Sequence, residues 1–545
     1  MKLKFSRKLR VLTFSLIATL AAIFCLYLYE TKDTRQFEQL SQDLLYTELS
    51  GNTISLHYTL AYPENYGLSA DPILPSSFTD VDTRAQVTEW QRRLSCIDPQ
   101  KLDPQDRYAY LLFDRFLALT LEGADFTYYT DPLSPSSGMV SGLPVLLADY
   151  TFRTKKDVED YLGILEQTGA YFDALIRYEQ EKSSAGLFMS DTSADNVIEQ
   201  CDSIMDPVLL SDGSHFLQQT FTERLDGLAS DEIITGEEKQ QYIDKNNLLL
   251  TTVMAPAYER IGDAFLVLKG TGTNPYGLCY YPEGKEYYTY LLAQTTGSSR
   301  SIPEIRRLLE KDYQKNFHAL RDLVKDHPGL LKLSPEDFSL SLNMQNSYSD
   351  HPEEPGDTDL PTKPAATSDI LCRLSEAILD DLQKQMKPDF PKLTCIPEAK
   401  AGQEHDGESN SVSCQIKKVS SSMEAYSSPA YYLTPPIDDL WHNTIYLNEP
   451  NITDDLTLYT TLAHEGYPGH LYQTVYSQSF LNQQNASCIR SMLHYGGFVE
   501  GWAVYVENLS YGYAAQLTKN EEAAERYAQI ADHIGLGGTT TAEKV

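Results

Sequence analysis

The residues best suited to chemistry lie in Thr461-Leu462-Ala463-His464-Glu465-Gly466-Tyr467-Pro468-Gly469-His470. Two imidazoles and a carboxylate share this short stretch, and Phe498-Val499-Glu500-Gly501-Trp502-Ala503 follows some way on. A hydrolytic zinc ion takes three protein ligands, often two His and one Glu, and keeps a fourth position open. It lowers the pKa of water and polarises a scissile carbonyl. A neighbouring carboxylate must then take the proton and pass it to the leaving amine. In the usual H-E-x-x-H arrangement the histidines lie four apart on one helical face, and the Glu after the first His is that base. His464 and Glu465 fit the first half of this pattern, with Glu465 as the general base. The second stretch is the source of a third ligand.

The spacing departs from the usual one. His464 and His470 are six apart. On an unbroken helix that means ~9 Å of rise and roughly 120° of mismatch. Two Zn–N bonds of about 2.0–2.1 Å cannot bridge that separation. The intervening residues favour a break over 466–469. Pro468 lacks an N–H and its ring clashes with the preceding turn, while Gly466 and Gly469 permit backbone angles that other residues avoid. A helix carrying His464 and Glu465 then ends, and the chain folds back to present His470. The alternative is an ordinary helix C-terminus with Gly and Pro as stop signals and two unrelated histidines.

His464-Glu465-Gly-Tyr-Pro-Gly-His470, followed by Leu471-Tyr472-Gln473, resembles the motif of a large bacterial family, domain of unknown function 885. Glu500-Gly-Trp-Ala-Val-Tyr505-Val-Glu507 resembles its second hallmark. Ser428-Pro-Ala-Tyr-Tyr432, Gly277-Leu278 with Gly284-Lys-Glu-Tyr-Tyr288, and Ser55-Leu-His-Tyr-Thr-Leu60 with Pro63-Glu-Asn-Tyr-Gly67 extend the resemblance over nearly the whole chain beyond its first segment. It implies a mainly α, zinc-peptidase-like protein with His464, His470 and Glu500 as metal ligands. The resemblance also sets an expectation at the C-terminus. Family members continue with further helices carrying basic and His residues, whereas this chain ends in the polar stretch Gly535 to Val545 and reads as truncated or divergent.

The elements that must position these residues follow from patterning. The formal net charge of −33 argues against nucleic acid as a partner, since phosphate binding needs clustered Lys and Arg. Residues 1–10 are basic, and Val11 to Tyr29 is apolar and uncharged, about the length that spans a bilayer. With positive charge kept inside, the expectation is a signal anchor over 11–29 and an ectodomain over 34–545. Lipidation at Cys25 is the alternative, although Phe24 before it suits that cleavage poorly. No C-x-x-C pair is present, so neither a thiolate metal site nor a redox motif is indicated. Pairing of Cys395 with Cys414 across two strands is a further expectation.

Helices are expected over much of 34–120, Thr154 to Glu179, Asp212 to Leu268 and Phe498 to Ser510. Ser301-Ile-Pro-Glu304 reads as a capping box with Pro in the first turn, opening a long helix to about Asp326. Short strands are expected at Leu393 to Glu398, Cys414 to Ser420, Ala430 to Leu433 and Asn443 to Asn448. An edge strand before a metal helix binds extended peptides by strand addition, which nominates Asn443, Ile445 and Leu447; an ordinary edge strand is the alternative. Thr453 or Asp454 is the expected N-cap of the metal helix. Glu507, two turns beyond Glu500, is placed to orient a ligand His; a solvated or core-rim carboxylate is the alternative. Tyr467, Tyr495 and Tyr505 are candidate donors to an oxyanion, or simply packing residues. His442 and His494 read as structural.

The whole is expected to be a large multi-helix domain with a small β element beside a zinc site. Its expected function is extracytoplasmic, zinc-dependent hydrolysis of peptide bonds. The rival readings are an inactive peptide- or cell-wall-binding protein on the same scaffold, in which Glu465 would be dispensable, and a zinc-independent carboxylate-pair glycosidase.

Overall fold

In the computed structural model the described residues are 31–517, apart from 69–70, 79–81, 136, 273–276, 327, 329–366, 394–411, 422, 425–426, 453–454 and 485. The chain divides into two units. One combines residues up to Leu49 with Asp82–Asp125 and Gln484–His494. Its helices Lys32–Leu49, Thr83–Leu94 and Pro104–Gly123 bury Phe37, Leu40, Leu94 and Phe113 together with Ile489. Asp103 caps the last of these with Pro104 as its first residue. None of the candidate site residues belongs to this unit.

The second unit holds the site. Its long helix α1 (Lys155–Ser184) opens on a capping box between Thr154 and Asp157 and contributes a continuous apolar stripe. Further on come α2 (Gly284–Thr296), α3 (Ile302–Asp326) and α4 (Thr367–Gln385). The Ser301 main-chain N–H and hydroxyl both donate to the Glu304 carboxylate, at 2.8 and 2.6 Å, so α3 starts where the capping signal says. Then follow three strands, β1 (Ser413–Lys418), β2 (Ala430–Leu433) and β3 (His442–Leu447), and three helices, α5 (Asp455–Glu465), α6 (His470–Gln483) and α7 (Gly496–Leu517).

The sheet order is β1-β3-β2, with β1 parallel and β2 antiparallel to β3. Strand alternation gives its two faces different neighbours. Ile416, Ile445 and Leu447 join Leu458, Leu462 and Leu471 of the metal-side helices in one core. Tyr446 joins the larger core built on α1 and the helices around it. The expectation that Asn443, Ile445 and Leu447 form a substrate-binding edge is corrected here. β3 is the central strand, both its main-chain edges are paired, and the three residues are 2 %, 0 % and 0 % exposed. The free edge beside the metal helix belongs to β2.

Several expectations fall on undescribed residues: the apolar stretch 11–29, the strand at Leu393 to Glu398 from residue 394 on, the Thr453 or Asp454 cap, the Cys395–Cys414 pairing and the C-terminal tail. No helix among the described residues is long and apolar enough to cross a membrane.

Candidate metal centre

α5 ends at Glu465 and α6 begins at His470, with turn and bend between them. The Gly466 N–H closes the last helical bond to Leu462 O at 2.9 Å. The chain then doubles back, and the Tyr472 N–H donates to Gly466 O at 3.2 Å. Gly469 makes this possible. A Cβ there would lie 1.8 Å from His464 O and 2.3 Å from Ala463 O, main-chain atoms that cannot yield. The Tyr467–Pro468 bond is cis. From α7, the Trp502 indole N–H donates to Pro468 O at 2.9 Å and ties the turn to the helix that carries Glu500.

The break brings the distant residues together. The two imidazoles meet edge-to-face with centroids 4.8 Å apart. Glu500 Oε2 lies 3.5 Å from His464 Nε2 and 3.7 Å from His470 Nε2. One ligand atom from each of the three residues falls within 4.8 Å of the others. Ligands bonded at about 2.1 Å to one tetrahedral ion lie roughly 3.4 Å from each other, so the donor set and its spacing fit a single zinc. The Glu500 side chain is 63 % exposed, which leaves the cluster open on that side. Glu507 Oε2 lies 3.0 Å from His464 Nδ1 and sets that ring's orientation. His470 Nδ1 is buried without such a partner.

Glu465 points its carboxylate at β2, where Oε2 accepts the Tyr432 main-chain N–H at 2.8 Å. It is 9 % exposed. Burial raises its pKa, opposed by the His464 charge and the Tyr432 N–H, while Glu500 and Glu507 push it further up. For His464, burial pulls the pKa down, but the Glu507 hydrogen bond and the surrounding carboxylates outweigh it, so the net direction is up. His470 is lowered by burial and by the His464 charge, with Glu500 opposing. The cluster is thus a concentration of negative charge arranged around two imidazoles.

The tyrosines are placed differently. Tyr467 is buried in the metal-side core. The Tyr495 ring packs over Gly297 at the end of α2, where a Cβ would meet it at 2.6 Å. Tyr505 packs beside Trp502. Each has a packing role on display. His442 is paired with Asp439 at 3.1 Å. Two contributors are visible only in three dimensions: the Tyr432 N–H that pins Glu465 and the Trp502 indole that pins the turn. Both stand inside motifs read from the sequence, but a main-chain donor on a strand leaves no mark in residue type.

No curated protein matches the chain. Among solved structures it is similar to a "putative lipoprotein" from Colwellia psychrerythraea, with a TM-score of 0.68 and 17% identity, covering 94% of this chain and 90% of that one. A protein of unknown function from Shewanella oneidensis, described in the same words, aligns with a TM-score of 0.44 and 16% identity over 91% of this chain and 82% of its own. The single-pass signal anchor expected over 11–29 finds no support here: that stretch lies outside the described residues, and no helix among the described residues is long and apolar enough to cross a membrane. The family model for bacterial proteins of unknown function, DUF885, matches residues 74–532, and the chain belongs to that family.

Proposed function

We propose that the protein is a zinc-dependent peptide hydrolase that works outside the cytoplasm in association with a membrane. The reading rests on one observation: His464, His470 and Glu500 converge across a helix break to spacings that suit one tetrahedral ion. Bound there, zinc supplies Lewis acidity toward water and a carbonyl. Glu465, next to a ligand but turned away from it, takes a proton from water and returns it to the leaving amine. Glu507 holds the His464 ring through Nδ1. An extended peptide would lie along β2, whose outer edge faces Glu465. The location follows the description of the Colwellia psychrerythraea relative.

The test compares wild type with Glu465→Gln and Glu500→Gln, reading metal content by mass spectrometry and cleavage of a broad peptide library. Glu465→Gln keeps the metal and the fold, because the Gln oxygen still accepts the Tyr432 N–H, and loses about 10²–10⁴-fold in turnover. Glu500→Gln lowers metal content itself. Unchanged cleavage in Glu465→Gln would remove that residue from the chemistry. Zinc-loaded wild type that cleaves nothing in the library would replace the reading with a peptide- or wall-binding protein.

A further inference from the structure

On the face of the sheet turned away from the metal helices lies a cavity of about 600 Å³. Gln415 and Lys417 of β1 and Thr444 of β3 form its floor, as their alternation requires. It shares no residue with the metal cluster.

The cavity is lined by more positive than negative charge, in a chain whose net charge is −33. Arg153, Arg224 and Lys417 face two lining carboxylates, Asp149 and Asp439. Lys417 is paired with Asp149, which also accepts the Tyr446 hydroxyl at 2.9 Å. Asp439 accepts from His442 at 3.1 Å and makes a longer ion pair with the Arg153 guanidinium at 3.6 Å. Neighbouring Asp438 is committed to the Ala61 and Tyr62 N–H groups.

Both arginines retain unused donors. Arg224 spends Nε on Thr220 O and Nη1 on Leu147 O and Tyr150 O, but its buried Nη2 makes no hydrogen bond. Burial raises the Tyr161 pKa; the Arg224 charge and a weak side-chain contact from it pull the other way, although that contact falls short of good hydrogen-bonding geometry. Nη1 of Arg153 is likewise buried and unbonded. A buried donor left unmade costs about 1–3 kcal/mol, more when charged. Burial, with the charges of Arg153 and Arg224, pushes the wall residue His57 down to about 3 and keeps it neutral, an acceptor for the Thr151 N–H. Aromatic surface completes the cavity: the Arg153 guanidinium lies 5.9 Å from the Tyr62 ring and that of Arg224 lies 4.6 Å from Phe152.

We propose that this cavity binds a small organic carboxylate, held by Arg153 and Arg224 and flanked by Tyr62 and Phe152. Guanidinium groups match a carboxylate's two oxygens. The single excess of fixed positive charge favours a monoanion over a phosphate dianion.

The experiment is calorimetric titration of the full chain with acetate, pyruvate and benzoate, against benzyl alcohol as the uncharged control and inorganic phosphate as the competing anion. At least one carboxylate should bind saturably and tighter than both controls. Arg153→Gln should weaken it about tenfold or more, the loss of one charged hydrogen bond. Gln415→Glu, a near-isosteric change at an exposed position, puts a like charge in the cavity and should weaken binding at least as much, with circular dichroism unchanged. The proposal is overturned if no carboxylate binds, if benzyl alcohol or phosphate binds as tightly, or if Gln415→Glu binds like wild type.

Discussion

His464 is held from both ring nitrogens, with Glu500 near Nε2 and Glu507 on Nδ1. A carboxylate on the far nitrogen fixes the tautomer that leaves the near one free to ligate. Glu507→Gln should therefore lower metal affinity about 10–100-fold, as such partners typically do, measured by competition with a coloured chelator, with the circular dichroism spectrum unchanged. A different residue governs stability against pH. Glu179 on α1 is 0 % exposed, and neither carboxylate oxygen has a hydrogen-bond partner. Burial raises its pKa to about 7, with Lys182 opposing and Asp131 adding to the rise. The folded chain thus holds this proton more tightly than the unfolded one. The cost of ionising it is absent below the ordinary carboxyl value, grows as pH rises and is complete above about 7. Glu179→Gln does not titrate, so its stability relative to wild type should improve between pH 5 and pH 8 by on the order of 3 kcal/mol. Urea midpoints at the two pH values measure it, and an equal offset at both would refute the assignment.

At the scale of elements, the decisive feature is the turn between α5 and α6. Its requirement is negative: Gly469 must carry no side chain, because main-chain oxygens of α5 occupy that space. Gly469→Ala should displace His470 and bring metal content close to background. Gly501→Ala on α7 is the control, since its Cβ would meet nothing within 4 Å. Replacing a helical Gly should there raise stability by roughly 0.5–1 kcal/mol and leave metal binding intact. Equal metal loss in both variants would mean that the turn geometry is not what delivers His470.

For the whole molecule, the three candidate ligands come from the end of α5, the start of α6 and the second turn of α7. An unfolded chain does not keep them together, so zinc should bind the folded state alone. Stabilisation then follows mass action, about 2.7 kcal/mol at a hundredfold excess over Kd. Adding zinc to chelator-treated protein should raise the melting temperature in a concentration-dependent way, and Glu500→Gln should flatten that response. A melting temperature indifferent to zinc in wild type would count against the metal reading.

Local structure is legible in the residues alone. The capping box at Ser301 and Glu304, the strand stretches at Ala430 to Leu433 and Asn443 to Asn448, the latter found one residue earlier at His442–Leu447, and the helix break favoured by Gly466, Pro468 and Gly469 all follow from steric and hydrogen-bonding rules acting within a few residues. If His464 and His470 share one metal, their spacing excludes a straight helix between them, and Gly466, Pro468 and Gly469 supply the break. Partnership between distant segments, by contrast, emerges only on folding. Alternation identifies β3 as a strand but not as the central one, because its neighbours β1 and β2 are chosen by cores on both faces of the sheet. The pinning of Glu465 by a Tyr432 N–H and of the turn by Trp502 are contacts across 33 and 34 residues. The cavity at Arg153 and Arg224 draws charge from segments scattered over the chain, where no spacing rule reaches. Such contacts are set by how whole helices and strands pack to bury apolar surface, and that free energy belongs to the assembled core rather than to any short stretch of it.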